Sequence, residues 1–254
     1  MIEKSLTLNR VAGLTLFFWI VKILSTTVGE TQADFVAVDM KVGLLGTTLL
    51  MGFITICAVF WNFKLKKYFA PAYWFLIVMM SIEGTLITDI LVDSFNISLI
   101  TLDVVFTVAM ALVFFVWYKT EGTLSIHKIT NNKREVFYWL IVLVTFALGT
   151  GVGDTISEYL DFGYSNSLML FGAIFLIAGG LFYAKILNGI TAFWIAFIVT
   201  RPIGASLGDL FIQSPADGGM GISAESINIT FFTIILIVVA YLTISKVDVI
   251  NEED

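Results

Sequence analysis

Charge, cysteine, histidine and proline are all scarce in this chain, and each shortage closes off a class of protein. Only 13% of the 254 residues are charged while 58% are hydrophobic, against about 25% charged and 45–50% apolar in a soluble domain. A water-soluble fold of this length cannot hide so much apolar surface, so the composition points to an integral membrane protein. The single cysteine, Cys57, excludes an internal disulfide and any multi-cysteine zinc or iron–sulfur site, and the single histidine, His127, excludes a histidine cluster. Three prolines and an aromatic content of 15% exclude collagen-like and disordered chains. Alternation of polar and apolar residues in segments of about ten is also missing, which excludes a membrane β-barrel.

What is present is a series of apolar runs, each long enough to cross roughly 30 Å of hydrocarbon. They lie near 11–33, 42–61, 71–92, 98–118, 136–157, 167–184, 190–212 and 227–245. All eight are expected to be helices, because backbone in lipid must satisfy its own hydrogen bonds. No cleavable signal is read at the start, where Glu3, Lys4 and Arg10 precede a span too long for a signal core. Cationic residues fall on alternate connections: Lys4 and Arg10; Lys64, Lys66 and Lys67; Lys119, Lys128, Lys133 and Arg134; Lys185; and Lys246. The opposite connections carry only Lys41. The positive-inside rule then places both termini in the cytoplasm of a multi-pass membrane protein. The acidic tail, 247–254, does not disturb this assignment. The basic stretch 119–134 reads as a cytoplasmic linker between two halves, not as a nucleic-acid site.

A repeat runs through the pattern. Trp19, Trp74, Trp139 and Trp194 each sit near the start of an odd-numbered span. Ten residues after each stands a glycine (Gly29, Gly84, Gly149, Gly204), and fifteen after each an aspartate (Asp34, Asp89, Asp154, Asp209). The chain is therefore read as one all-α membrane domain, 1–254, built from four two-helix hairpins near 11–64, 66–119, 131–186 and 187–246. A two-span unit preserves direction, so the repeats are parallel, which favours a pseudo-fourfold or two-by-two ring with the aspartates at one depth. Fifteen residues of helix rise about 22 Å, which places that ring in the outer half of the membrane.

The segments FFWIVKILSTTVGETQAD, YWFLIVMMSIEGTLITD, YWLIVLVTFALGTGVGD and FWIAFIVTRPIGASLGD carry a resemblance. The chain resembles a bacterial membrane-protein family defined by four tandem two-span repeats, each with a tryptophan, whose repeat has no known function. The resemblance covers essentially the whole chain. It implies an eight-span membrane protein and supplies no mechanism.

Ionisable residues within spans are costly and mark functional hypotheses. Glu30 and Asp34, Asp89 and Asp93, and Asp154 and Glu158 are each spaced i, i+4 and share a helix face. Like charges so placed call for a cation, a shared proton or water between them. Glu83 adds a deeper acid, Asp103 one at the start of the fourth span, and the fourth repeat has Gln213 where the others carry an acid. Small residues surround the aspartates, and helix breaks there would expose carbonyl oxygens. Such hard oxygen donors suit Mn²⁺, Mg²⁺, Ca²⁺, Na⁺ or H⁺.

Arg201, just before Pro202, needs a buried partner, for which Glu30 and Glu83 are the candidates at its depth. It is either an ion pair locking the fourth repeat to the first or second, or a tethered cation that competes with the transported one or binds an anionic substrate. Pro202 is expected to kink or open its helix. Lys22 is expected to snorkel to the cytoplasmic surface, and the tryptophans to anchor at the interface or pack between repeats.

The reading that gathers these features is a transporter or channel for a hard cation, with a divalent cation among the candidate substrates, using the carboxylates named above. Asp39, Asp161, Asp217 and Glu225 would concentrate cations at its mouth. The alternative is a membrane enzyme, or a lipid- or small-molecule-binding sensor, at the outer leaflet. The enzyme form lacks a nucleophile–base constellation. The partners implied are the lipid bilayer and a small cation, and a homo-oligomer is left open.

Overall fold

The architecture comes from a computed structural model, which describes residues 9–250. Glu3, Lys4, Glu252, Glu253 and Asp254 lie outside that range. Eight long helices account for the apolar runs: α1 (Leu16–Asp34), α2 (Leu44–Leu65), α3 (Ala70–Asp89), α4 (Leu99–Glu121), α5 (Asn132–Asp154), α6 (Tyr164–Tyr183), α7 (Gly189–Ile212) and α8 (Ala224–Ser245). Local chemistry sets their ends. Thr15, Ser98, Asn131, Asn188 and Ser223 each accept a backbone N–H in the first turn of the helix that follows. The turns into α2 and α6 use Gly43 and Gly163, both at φ 78°, where a side chain would be strained.

Seven of these helices are long and apolar enough to cross a membrane; α1 is not among them. Its 19 residues hold Lys22, Glu30 and Asp34 together with four threonine and serine hydroxyls. Packing explains how such a helix is tolerated. α1 touches α3 and α7, α3 touches α5, and α5 touches α7, so the four odd helices close a ring. The polar side of α1 faces that ring, and Lys22, Glu30 and every hydroxyl from Ser25 to Thr31 are buried.

The even helices form an outer layer, but not as hairpins. α2 packs on α3, α4 on α5, α6 on α7 and α8 on α1, so each even helix leans on the next repeat and the last returns to the first. The two helices of one repeat touch each other little, which corrects the hairpin expectation. The outer faces are apolar: Leu45, Leu49, Phe53, Val104, Leu112, Leu176 and Leu236 are all exposed, as expected for a sleeve facing lipid.

The repeat residues make the ring's contacts. The first aromatic of each aromatic–Trp pair packs on the tryptophan of the following repeat: Phe18 on Trp74, Tyr73 on Trp139, Tyr138 on Trp194 and Phe193 on Trp19, with centroids 5.4–6.3 Å apart. The tryptophans are therefore packing residues, and Trp74, Trp139 and Trp194 are buried. Higher up, each repeat glycine is a crossing point. Gly29 lies against Ser81, Gly84 against Phe146, Gly149 against Arg201 and Gly204 against Thr26, in each case the residue seven after the next repeat's tryptophan. A Cβ on Gly84 would stand 2.7 Å from that of Phe146. Only glycine allows these backbones so close.

The basic stretch 119–134 is less of a linker than expected. α4 runs to Glu121, a short 3₁₀ turn covers Ile126–Lys128, and Ile126 and Ile129 are buried. The segment before α1 crosses this tryptophan end. Asn9 Nδ2 donates to Ile126 O at 2.9 Å, Arg10 pairs with Glu135 at 2.6 Å, and Gly13 N–H donates to Asp248 O at 2.7 Å. Asp248 belongs to the packed structure, not to a free tail, and its carboxylate accepts from Tyr68 Oη. Burial pushes the Asp248 carboxyl above its usual range, with the Tyr68 hydrogen bond pulling the other way. Burial, and then the neighbouring Asp248, push the Tyr68 phenol up.

Candidate functional site

The site lies inside the ring, between the aromatic layer and the aspartate end. At its base is Arg201, with no exposed surface. Its guanidinium draws partners from all three other odd helices. Nη2 donates to Glu30 at 2.8 Å, to Thr150 Oγ1 at 2.7 Å and to Thr85 Oγ1, while Nη1 donates to Thr26 O at 3.1 Å. Glu30, Thr85 and Thr150 stand eleven residues after their tryptophans, so three equivalent positions converge on one guanidinium. Ala205 is the fourth, and Arg201 reaches in from that repeat instead. Comparing the repeats position by position would have picked out Thr85 and Thr150, which stand out in the sequence only as small residues.

Above Arg201 the acids rise in tiers. Glu30 is buried; Asp34, Asp89 and Asp154 are half-buried; Asp209 is 4% exposed; Asp39, Asp93 and Glu158 are exposed. Glu30 lies within electrostatic reach of all four repeat aspartates, and Arg201 within reach of Asp89 and Asp209. Asp34 in turn is within reach of Asp93 and Glu158. Glu158 accepts a hydrogen bond from Tyr164 Oη at 2.8 Å.

Asp34, Asp89 and Asp154 each end a regular α-helix, and a five-residue π turn follows at once: Phe35–Asp39, Ile90–Ser94 and Thr155–Tyr159. π segments inside helices are frequent at functional sites. The fourth repeat lacks one. α7 instead runs unbroken through Pro202 to Ile212, so the opening expected at that proline does not occur. The helices around the glycines are likewise continuous.

Two expected participants stand elsewhere. Glu83 does not meet Arg201: it faces α2, where a Cβ on Gly52 would lie 3.3 Å from its Oε1, and α1 supplies the arginine's carboxylate. Lys22 does not snorkel. It is fully buried, with Nζ 3.8 Å from the Phe146 ring centroid and 4.0 Å from that of Phe197. Asp103, on α4, reaches α5 from outside the ring and accepts from Thr155 Oγ1 at 2.6 Å.

The carboxylates do not close on a point. Among the described residues no group of three or more acidic, histidine or cysteine side chains is placed to hold a metal ion. A cavity of about 920 Å³ lies elsewhere, at the tryptophan end between α1, α6, α7 and residues 124–127, lined by Trp19, His127, Phe175 and Phe193 and by no carboxylate.

Sequence comparison agrees with the fourfold repeat. The Repeat of Unknown Function (DUF347) matches at 17–68, 72–123, 137–185 and 192–248, each match holding one tryptophan-to-aspartate segment. No curated protein and no solved structure matches the chain. With four matches covering most of its length, the chain belongs to the DUF347 family of repeat proteins.

Proposed function

We propose that this protein is an eight-span transporter or channel for a hard cation, lying in the bacterial plasma membrane with both termini in the cytoplasm. The cation enters at the aspartate end, which the positive-inside rule turns outward. One observation carries the reading: Asp209, a residue only 4% exposed, makes no side-chain hydrogen bond and lies within electrostatic reach of Glu30, Asp34 and Glu158. A buried carboxylate without a donor is costly, and a cation arriving from the exposed tier of Asp39, Asp93 and Glu158 supplies the missing partner. Because no three carboxylates among the described residues are placed to hold a bare metal ion, the ion is held with its water or is a proton. α1 is the eighth span, its polar residues shielded by the ring.

The test is ion flux into proteoliposomes across Mn²⁺, Mg²⁺, Ca²⁺, Na⁺ and H⁺, with Asp89→Asn/Asp154→Asn as the variant. Flux of one ion that vanishes in the folded variant supports the proposal and identifies the ion. Absence of any flux from well-folded protein overturns it.

A further inference from the structure

Below the ring of carboxylates that forms the proposed cation chamber lies a second ionisable group that the cation site does not use. Lys22 extends from α1 across the ring, and its Nζ has no hydrogen-bond partner. The Phe146 and Phe197 rings that hold it come from α5 and α7 and lie parallel, 6° apart in plane with centroids 6.2 Å from each other. Two aromatic faces within about 6 Å favour an ammonium. Two features oppose it: there is no acceptor for its three N–H bonds, and Arg201 stands near enough to repel it.

The opposing influences come from few groups. On α7 the facing charge is Arg201, itself tied to Glu30 at 2.8 Å. Among the described residues, no other charged side chain acts on Lys22. The carboxylates of α3 and α5 lie in the chamber (Asp89, Asp154), toward α2 (Glu83) or at the tryptophan end (Glu135, paired with Arg10), and α8 brings no charge to this depth. The tyrosines nearest this level, Tyr73 and Tyr138, hydrogen-bond to each other. Each protonation state of Lys22 is therefore supported on one side and opposed on the other, and the balance turns on the charge of the Arg201–Glu30 pair. A cation in the chamber, attracted by Glu30, weakens that carboxylate's hold on Arg201 and leaves more positive charge facing Lys22.

We infer that Lys22 is a proton-binding site, and that the proton it takes up and releases is exchanged against the cation in the chamber. Uptake turns the amine –NH₂ and a proton from water into –NH₃⁺; release is the reverse, with no other bond made or broken. The exchange half rests on the transport reading, whereas the proton-binding half does not.

The test separates the two. Proton uptake by purified protein is measured with a pH-indicator dye as the solution is acidified from about pH 9 to about pH 5. The wild type is expected to take up one proton more per chain than Lys22→Met or Lys22→Arg. Arginine keeps the charge and length without titrating, which guards against a folding defect in the methionine variant. Lys119→Met is the control: Lys119 also lies over a phenylalanine, 5.6 Å from the Phe115 centroid, but is exposed, so its variant matches the wild type. Equal proton counts in wild type, Lys22→Met and Lys22→Arg overturn the inference. In proteoliposomes, cation uptake driven by a pH gradient is expected to fall to the level of empty vesicles in Lys22→Met. Gradient-driven uptake that survives in that variant overturns the exchange. A one-proton difference in a protein that moves no cation keeps Lys22 as a proton site and overturns the transport reading.

Discussion

Glu30→Ala is the most exacting perturbation of the central ring. Arg201 has no exposed surface, and Glu30 is the carboxylate that pairs with it, at 2.8 Å. Removing the acid leaves a buried guanidinium with two threonine hydroxyls and one carbonyl as acceptors. Breaking a buried ion pair from one side costs about 3–5 kcal/mol. Asp89 and Asp209 lie within electrostatic reach of the arginine, which places the expected cost at the lower end of that range. For a chain of this size a loss of about 3 kcal/mol lowers the melting temperature by roughly 6–12 °C. The double variant Glu30→Gln/Arg201→Met removes both charges and roughly keeps their volume, so it should melt above Glu30→Ala, because an apolar replacement of a buried pair is often neutral. The assay is thermal unfolding of the three proteins in one detergent, followed by tryptophan fluorescence. A Glu30→Ala variant that melts with the wild type would refute the reasoning. So would a double variant that melts no higher than Glu30→Ala.

Two further outcomes follow from the same geometry. Gly204→Ala places a Cβ about 2.5 Å from Thr26 Cβ and 2.6 Å from its carbonyl carbon, so the contact that closes the ring must open; a loss of about 1–3 kcal/mol is expected. Gly172→Ala meets open space on α6 and should be neutral or stabilising, so equal melting of these two variants would count against the crossing. At the tryptophan end, the pH dependence of stability should change in Asp248→Asn. A carboxyl raised by burial contributes stability that is full below its unfolded value, about 3.9, and is lost as pH climbs through the higher folded value. The advantage of wild type over Asp248→Asn should therefore shrink as pH rises above about 4. An advantage that grows with pH would contradict the assigned direction.

Legibility in the sequence was uneven for physical reasons. The helices and their rough limits follow from apolar length, and the fourfold repeat from the recurrence of Trp19, Trp74, Trp139 and Trp194 with their glycines and aspartates. Lys22 was misread because its distance along the helix from Trp19 says how deep it lies but not which way it points. A lysine three residues past the tryptophan snorkels when it faces lipid, and this one faces the ring. Glu83 was misread in the same way: its depth suits Arg201, but its side of α3 faces α2.

Composition and periodicity are local properties, so they were enough to establish an all-helical, repeated, membrane-type chain with acids near one end of its odd helices. Neighbour relations are not local. That α2 leans on α3 and α8 closes on α1, that Gly204 meets Thr26, and that three repeat-equivalent side chains converge on Arg201 depend on rotation about each helix axis and on which helices come together. Those were decided by close packing of small and aromatic residues between helices far apart in the chain, where a glycine admits a neighbouring backbone and a tryptophan fills the gap beneath it.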